Sequence, residues 1–147
     1  MSHVTTIDEL VFTDLASLKA AVVSLQKSGV KCSLHANKVP RAYFDGQLPQ
    51  ADQVLQLDDA RYDVGFYYDA AKKGMIAKTD FYNNSVGAVL GAPTKAGESV
   101  AQRNMGKLYH HYAVAAATRQ AVKQGYQVRT INKPDGSVQL VMTGMKG

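Results

Sequence analysis

The chain lacks several features that define whole classes of protein. It has one cysteine, Cys32, among 147 residues, which excludes an internal disulfide framework and a zinc site built from several cysteines. Tryptophan is absent, and no apolar run approaches the roughly 20 residues that cross a bilayer. Residues 1–10 contain Asp8 and Glu9 but no lysine or arginine, which is not the pattern of a secretory signal. We therefore expect a single domain spanning residues 1–147, in the cytoplasm and without a membrane partner.

Catalytic and metal-binding signatures are also missing. Segment 91–99 has the glycines of a phosphate-binding loop, but Lys95 does not follow the second glycine as that motif requires. His110 and His111 are adjacent, so on a helix their side chains point about 100° apart and do not easily chelate one ion. We predict no catalytic residues, no metal site and no cofactor, and a role in binding rather than in chemistry.

Acidic residues are scarce in the second half of the chain. Residues 1–70 hold nine acidic and six basic residues, whereas residues 71–147 hold three acidic and eleven basic residues. The overall net charge of +5 therefore arises from the second half. Because cationic surfaces attract anions, this asymmetry favours an anionic partner, either nucleic acid or a nucleotide or another phosphorylated small molecule.

The pattern of apolar and turn-forming residues predicts an α+β fold. Short turns join most of the predicted strands, so we expect a largely antiparallel sheet of five to seven strands with two helices on one face. The predicted order is β-α-β, a β-meander, a helix and a closing β-hairpin. Strands are predicted at 4–12, 30–34, 53–57, 62–68, 75–81, 126–131 and 138–142, and helices at 15–28 and 98–124.

Two stretches interrupt this pattern. Residues 35–53 contain two prolines and an Asp-Gly dipeptide, which predicts an irregular connection or a short edge ribbon. Residues 83–97 contain Gly87, Gly91 and Gly97 and few charged residues. A connection of that length inside a compact domain is usually functional or mobile, so we predict a flexible loop there.

A resemblance to a known family rests on several short stretches, which are residues 1–6, 13–15 with Leu18, 62–66, 112–113 and 124–128. Their succession is similar to the hypothetical chloroplast reading-frame proteins of plastids, cyanobacteria and phages, which are classed as a domain of unknown function. The resemblance implies a small protein without assigned chemistry, often encoded beside an ATPase of the AAA type.

The predicted helix 98–124 carries two groups of candidate binding residues. Arg103 and Lys107 are four residues apart, and His110 and His111 follow at helical spacing, which makes one cationic stripe. The more common explanation is that Arg103, Lys107 and Lys123 form an ordinary solvated helix face, because exposed helix faces are usually charged, and the binding role stays open as the alternative.

The second group lies on another stripe of the same helix. Tyr112 is expected to face the sheet, with Arg119 close to it and Lys123 one turn further on. A cation that packs near a core needs an acidic partner, for which Asp63 and Asp14 are the candidates.

Tyr67 belongs to an aromatic-rich predicted strand. If the face of the sheet that carries Tyr67 is open, its ring and Lys72, Lys73 and Lys78 would form a surface for stacked bases and phosphates. The acidic side chain of Asp63 on the same face opposes that interpretation.

Three functional hypotheses follow from these patterns. The leading one is an adaptor protein that docks on a protein partner such as an AAA-type ATPase. The alternative is an anion binder that uses helix 98–124 and the loop before it. The third is a small enzyme, which requires Asp63, Tyr112, His111 and Arg119 to converge in one pocket.

Overall fold

A computed structural model describes residues 4–42, 48–92, 103–134 and 138–144 of the chain. They form an α+β fold with one antiparallel sheet of five strands, a separate ribbon of two strands and three α-helices. This confirms the predicted fold class. In chain order the elements are β1 (Val4–Phe12), α1 (Leu15–Lys27), β2 (Cys32–Lys38), β3 (Ala51–Leu57), β4 (Val64–Asp69), β5 (Gly74–Asp80), a 3-10 turn (Tyr82–Asn84), α2 (Ser85–Leu90), α3 (Gly106–Lys123), β6 (Tyr126–Asn132) and β7 (Val138–Gly144).

The five-stranded sheet has the order β1-β5-β4-β3-β2, and every neighbouring pair is antiparallel. Strands β3, β4 and β5 form the predicted meander. Strands β1 and β2 occupy opposite edges, so the connection through α1 carries the chain from one edge of the sheet to the other. The closing hairpin of β6 and β7 pairs only with itself within the described residues.

Both long helices pack on the sheet through one hydrophobic core. The ring of Phe12 on β1 lies edge-on to Phe66 on β4, with centroids 5.0 Å apart, and to Tyr112 on α3, with centroids 4.7 Å apart. Burial of such apolar surface is the main favourable contribution to folding. The largest fully buried side chains include Phe12, Phe66, Ile7, Leu18, Leu25, Leu55, Leu57, Leu90, Met105 and Leu108.

Helix α1 begins and ends where its sequence predicts. The Asp14 side chain accepts a hydrogen bond from the Ala16 N–H at 3.1 Å and so caps the helix. Leu18 and Leu25 are buried two turns apart on the inner face. The helix stops before Gly29, whose φ of +102° is left-handed backbone that glycine adopts without strain.

The prediction of a flexible loop at 83–97 is wrong for residues 85–90, because they form α2. Val86 and Leu90 are four residues apart and both are fully buried, so packing against the core stabilises a short helix despite Gly87. Residues 93–97 lie outside the described part of the chain.

The predicted helix at 98–124 is interrupted by a turn in the part that the structure describes. Residues 98–102 are not described, residues 103–104 are helical, a turn follows at Met105, and α3 runs unbroken from Gly106. A Cβ atom at Gly106 would lie 2.5 Å from the Cβ of Ala92, so the residue after the turn must be small.

Strand β2 lies later than predicted. The alternation of apolar residues placed it at 30–34, but the ladder to β3 continues from Cys32 to Lys38. His35, Ala36 and Asn37 are exposed on this edge strand, so no apolar pattern marks them as a strand. Residues 135–137 of the predicted hairpin turn are outside the described residues.

An ion pair between Arg41 and Asp63 fixes the connection that follows β2. The fully buried Asp63 carboxylate accepts hydrogen bonds from Arg41 Nη2 at 2.8 Å, Nε at 3.0 Å and the backbone N–H at 2.9 Å. Arg41 Nη2 also donates to the carbonyl oxygens of Leu57 at 2.7 Å and Ala60 at 3.1 Å. These bonds raise the pKa of Arg41, with the Asp63 hydrogen bond as the main cause.

We expect Asp63→Asn to lower the free energy of unfolding by about 2 kcal/mol, because the buried side chain loses its charge-assisted hydrogen bonds to the half-exposed Arg41. Urea denaturation followed by circular dichroism measures the change. Asp59→Asn, at an exposed acid in the same turn, is the control and should unfold like the wild type. Equal stabilities of Asp63→Asn and the control would contradict this role.

Candidate functional site

The first candidate site is a cleft of about 330 Å³ between the start of α1 and the C-terminal half of α3, which we call the α1–α3 cleft. Helix α1 contributes its N-cap and first turn, and α3 contributes one face over three turns. The lining residues are Thr13, Asp14, Ser17, Tyr112, Ala116, Arg119, Gln120 and Lys123.

Tyr112 ties the two helices together at the base of this cleft. Its side chain is 4% exposed, and its hydroxyl oxygen accepts hydrogen bonds from the backbone N–H groups of Thr13 at 3.1 Å and Asp14 at 3.2 Å. A phenol also has one proton to donate. In the described part of the chain the structure records no acceptor for that proton.

Asp14 is the one acidic residue of the cleft lining, and its oxygens are already engaged. They accept hydrogen bonds from the Ala16 N–H at 3.1 Å, the Ser17 hydroxyl at 2.6 Å and Arg119 Nε at 3.0 Å. The Ser17 hydrogen bond and then that of Arg119 lower the pKa of Asp14 to about 2. Of the two predicted partners for Arg119, Asp14 is therefore the observed one.

The remaining lining of the α1–α3 cleft is cationic and polar. Arg119 contacts Asp14 through Nε. Its two terminal nitrogens have no recorded acceptor in the described residues. Lys123 is exposed and adds a second positive charge. Two cations against one engaged carboxylate leave a positive site that attracts anions.

Replacing Tyr112 by phenylalanine should lower the free energy of unfolding by about 1 kcal/mol, because two backbone N–H groups lose their acceptor. Thermal unfolding followed by circular dichroism detects the change. Tyr126→Phe, which removes an exposed hydroxyl, is the matched control. A Tyr112→Phe protein as stable as Tyr126→Phe would show that the hydroxyl does not hold the helices together.

The second candidate site is a cleft of about 450 Å³ on another side of α3, which we call the imidazole cleft. The rings of His110 and His111 are edge-on with centroids 5.6 Å apart. Burial lowers the pKa of His111, and the neighbouring His110 and Lys107 lower it further. The lining residues are Ser24, His110, His111, Val114, Thr130, Asn132, Lys133 and Val138.

The structure separates the residues of the predicted enzyme site. Tyr112 and Arg119 line the α1–α3 cleft, whereas His111 lines the imidazole cleft. Asp63 lines neither cleft and forms an ion pair with Arg41. The prediction that Asp63, Tyr112, His111 and Arg119 converge is therefore wrong. Its physical reason is that Asp63 meets Arg41 from the chain segment that precedes β3, a long-range contact that no spacing reveals.

Tyr67 is held against the sheet. Its hydroxyl donates to the Pro49 carbonyl at 2.8 Å, and Lys78 Nζ lies 5.0 Å from the centre of its ring. Burial and then Asp52 raise the pKa of Tyr67 to about 12. With a cation already over the ring, this geometry disfavours the predicted role in base stacking.

The residues of the predicted cationic stripe lie in different surroundings: two are exposed on the surface and two line a cleft. Arg103 lies before the turn at Met105, where its carbonyl accepts a hydrogen bond from the Ala92 N–H at 3.1 Å, and its side chain is exposed. Lys107 is exposed and lies close enough to His111 to affect its pKa. Of the stripe, His110 and His111 line a cleft.

Sequence patterns missed the residues that other elements bring to these clefts. The hydroxyls of Thr13 and Ser17 reach the α1–α3 cleft from the capping turn of α1, which was visible only as a helix start. Thr130 and Lys133 come to the imidazole cleft from the ribbon, about 20 residues further along the chain than the histidines. Only the packing of the ribbon on α3 places them there.

Comparison with known proteins leaves the site to be interpreted from its geometry. No family model, no curated protein and no solved structure matches the chain. The resemblance to the hypothetical chloroplast reading-frame proteins stays a prediction. Within the described ranges, no group of three or more histidine, cysteine, aspartate or glutamate side chains is placed to hold a metal ion, and no helix there is long and apolar enough to cross a bilayer.

Proposed function

We propose that this protein binds a small oxyanion in the α1–α3 cleft. One observation carries the proposal: the buried Tyr112 hydroxyl has a proton without a recorded acceptor, and it lies in a cleft lined by Arg119 and Lys123. The oxygen of this hydroxyl accepts two backbone hydrogen bonds, and a bound acceptor would add a third bond through its proton. Anions that bridge such donors form charge-assisted hydrogen bonds, which are the stronger kind.

The lining limits the kind of anion. Ala116 is the one apolar residue among the eight that line the cleft, so there is little surface for a nucleobase or another apolar group to cover. A volume of about 330 Å³ is at the small end of ligand pockets. Both facts favour a compact, fully polar anion of the size of phosphate.

The chemistry of the cleft supports binding rather than catalysis. A general base works best when its pKa lies near the ambient pH. The pKa of Asp14 is about 2, and its oxygens are held by Ser17 and Arg119. That carboxylate is therefore a weak base that positions a cation, and its role is electrostatic.

Lys123→Gln should weaken the binding of inorganic phosphate about fivefold, the size expected for one exposed charge. Isothermal titration calorimetry at about pH 8 measures the affinity under conditions that keep His111 of the other cleft neutral, because the pKa of His111 is lowered. Lys123 has no recorded partner in the described chain, so the variant should fold normally.

Lys19→Gln removes an equal charge from an exposed position of α1 and is the matched control. It should bind phosphate like the wild type. No detectable phosphate binding by the wild type, or equal losses in the two variants, would refute the α1–α3 cleft as the site.

A second candidate function is docking on another protein through the ribbon of β6 and β7. Both outer edges of the ribbon lack a strand partner within the described chain. Tyr126, Ile131 and Met142 of the ribbon are 38%, 36% and 55% exposed, and Val122 just before it is 57% exposed. The ribbon packs on α3 but has no third strand among the described residues, and a two-stranded ribbon is stabilised by a further strand. We therefore propose an extended apolar segment of a partner, such as the AAA-type ATPase that the resemblance implies, as its occupant.

Met142→Lys should abolish co-purification of a stoichiometric partner, because it places a charge on the face of the ribbon that Met142 shares with Tyr126 and with its cross-strand neighbour Val128. Thr143→Lys is the control, since the neighbouring residue of a strand points to the opposite face. Recovery of the partner is measured by quantitative pull-down with wild type and both variants. Retention by Met142→Lys, or the lack of a stoichiometric partner for the wild type, would exclude this function.

A further inference from the structure

We propose that the imidazole cleft is a second, independent ligand site, which takes an organic anion with an apolar body and binds it more tightly as the pH falls. This site goes beyond the oxyanion site of the α1–α3 cleft, because it differs in position, in lining and in the class of ligand.

The polar lining of the imidazole cleft is suited to an acidic group. Its ionisable residues, His110, His111 and Lys133, are all bases, and no acidic residue is among the described residues that line it. Ser24 and Thr130 contribute hydroxyl groups, each of which donates one hydrogen bond. A lining with only positive charges and several neutral hydrogen-bond donors favours an anion as the ligand.

The rest of the lining is suited to an apolar group. Val114 enters from α3 and Val138 from β7, so apolar side chains come from both the helix and the ribbon. The α1–α3 cleft offers only Ala116. With a volume of about 450 Å³, the imidazole cleft has room for a small aromatic or branched body beside the acidic group.

The two clefts lie on different faces of α3. Val114 lines the imidazole cleft and Ala116 lines the α1–α3 cleft. Residues two apart on a helix point about 200° apart. One small ligand does not reach both sites, so their affinities are separable by mutation.

The charge of the imidazole cleft depends on pH through protonation of His111. His111 is faced by Lys107 and His110 from α3 and by Lys133 from the end of β6, whereas α1 and β7 contribute the non-titratable Ser24 and Val138. In the absence of ligand, burial and then His110 and Lys107 lower the pKa of His111 below its usual 6.5. The neutral ring is therefore favoured, and stability falls as the pH drops below about 6.5. A bound anion favours the charged ring, so its affinity rises over the same pH range.

Benzenesulfonate is the probe, because its own charge stays constant between about pH 5.5 and 7.5. We expect the wild type to bind it roughly fivefold more tightly at the lower pH, through protonation of His111. Lys133→Gln should weaken binding about tenfold by removing a charged donor. His111→Gln should lose most of the pH dependence, and Lys19→Gln should behave as the wild type.

Proton NMR of the imidazole rings locates the ligand. On addition of benzenesulfonate the signals of His110 and His111 should shift and the pKa of His111 should rise, whereas His35, exposed on β2, serves as an internal control. If the ring of Tyr112 responds and the histidines do not, the probe occupies the α1–α3 cleft and the second site is refuted while the first stands. Binding that is unaffected by Lys133→Gln and His111→Gln also refutes it.

Discussion

The ion pair of Arg41 with Asp63 is the contact on which the arrangement of the sheet depends. Asp63 is fully buried, and a buried carboxylate is stable only when its charge is balanced and its lone pairs are bonded. One guanidinium supplies both, and it also bonds the carbonyl oxygens of Leu57 and Ala60. The Asp63 N–H donates in return to the Arg41 carbonyl at 3.1 Å. The end of β3, the turn after it and the segment before β3 are thereby fixed to the start of β4.

Strand β4 passes that constraint to the helices. Phe66 is three residues beyond Asp63 and contacts Phe12, which in turn contacts Tyr112. The hydroxyl oxygen of Tyr112 then accepts hydrogen bonds from the backbone N–H groups at the start of α1. Close packing leaves such a chain of contacts little freedom. The hydroxyl of Tyr112 in the α1–α3 cleft is therefore positioned by the aromatic core.

The predictable and unpredictable parts of this structure differ in the range of their contacts. The capping signal at Asp14 and the meander were visible because they depend on neighbouring residues. Helix α2 at 85–90 was missed, since only tertiary burial outweighs its weak helical pattern. The sequence offered two partners for Arg119, and the choice between Asp14 and Asp63 depends on contacts more than fifty residues apart. Patterns name the chemistry of a site, but packing decides which groups share it.

The division of the basic residues of α3 argues for small ligands over a nucleic acid. A strand of nucleic acid requires a continuous positive groove, with aromatic rings on which its bases stack. Lys123 and Arg119 lie at one cleft, and His110 and His111 lie at another on a different face of the same helix. Tyr67, the candidate stacking residue, is covered by Lys78 on the sheet. Two compact clefts on different faces of α3, rather than one extended surface, are the arrangement that this packing produces.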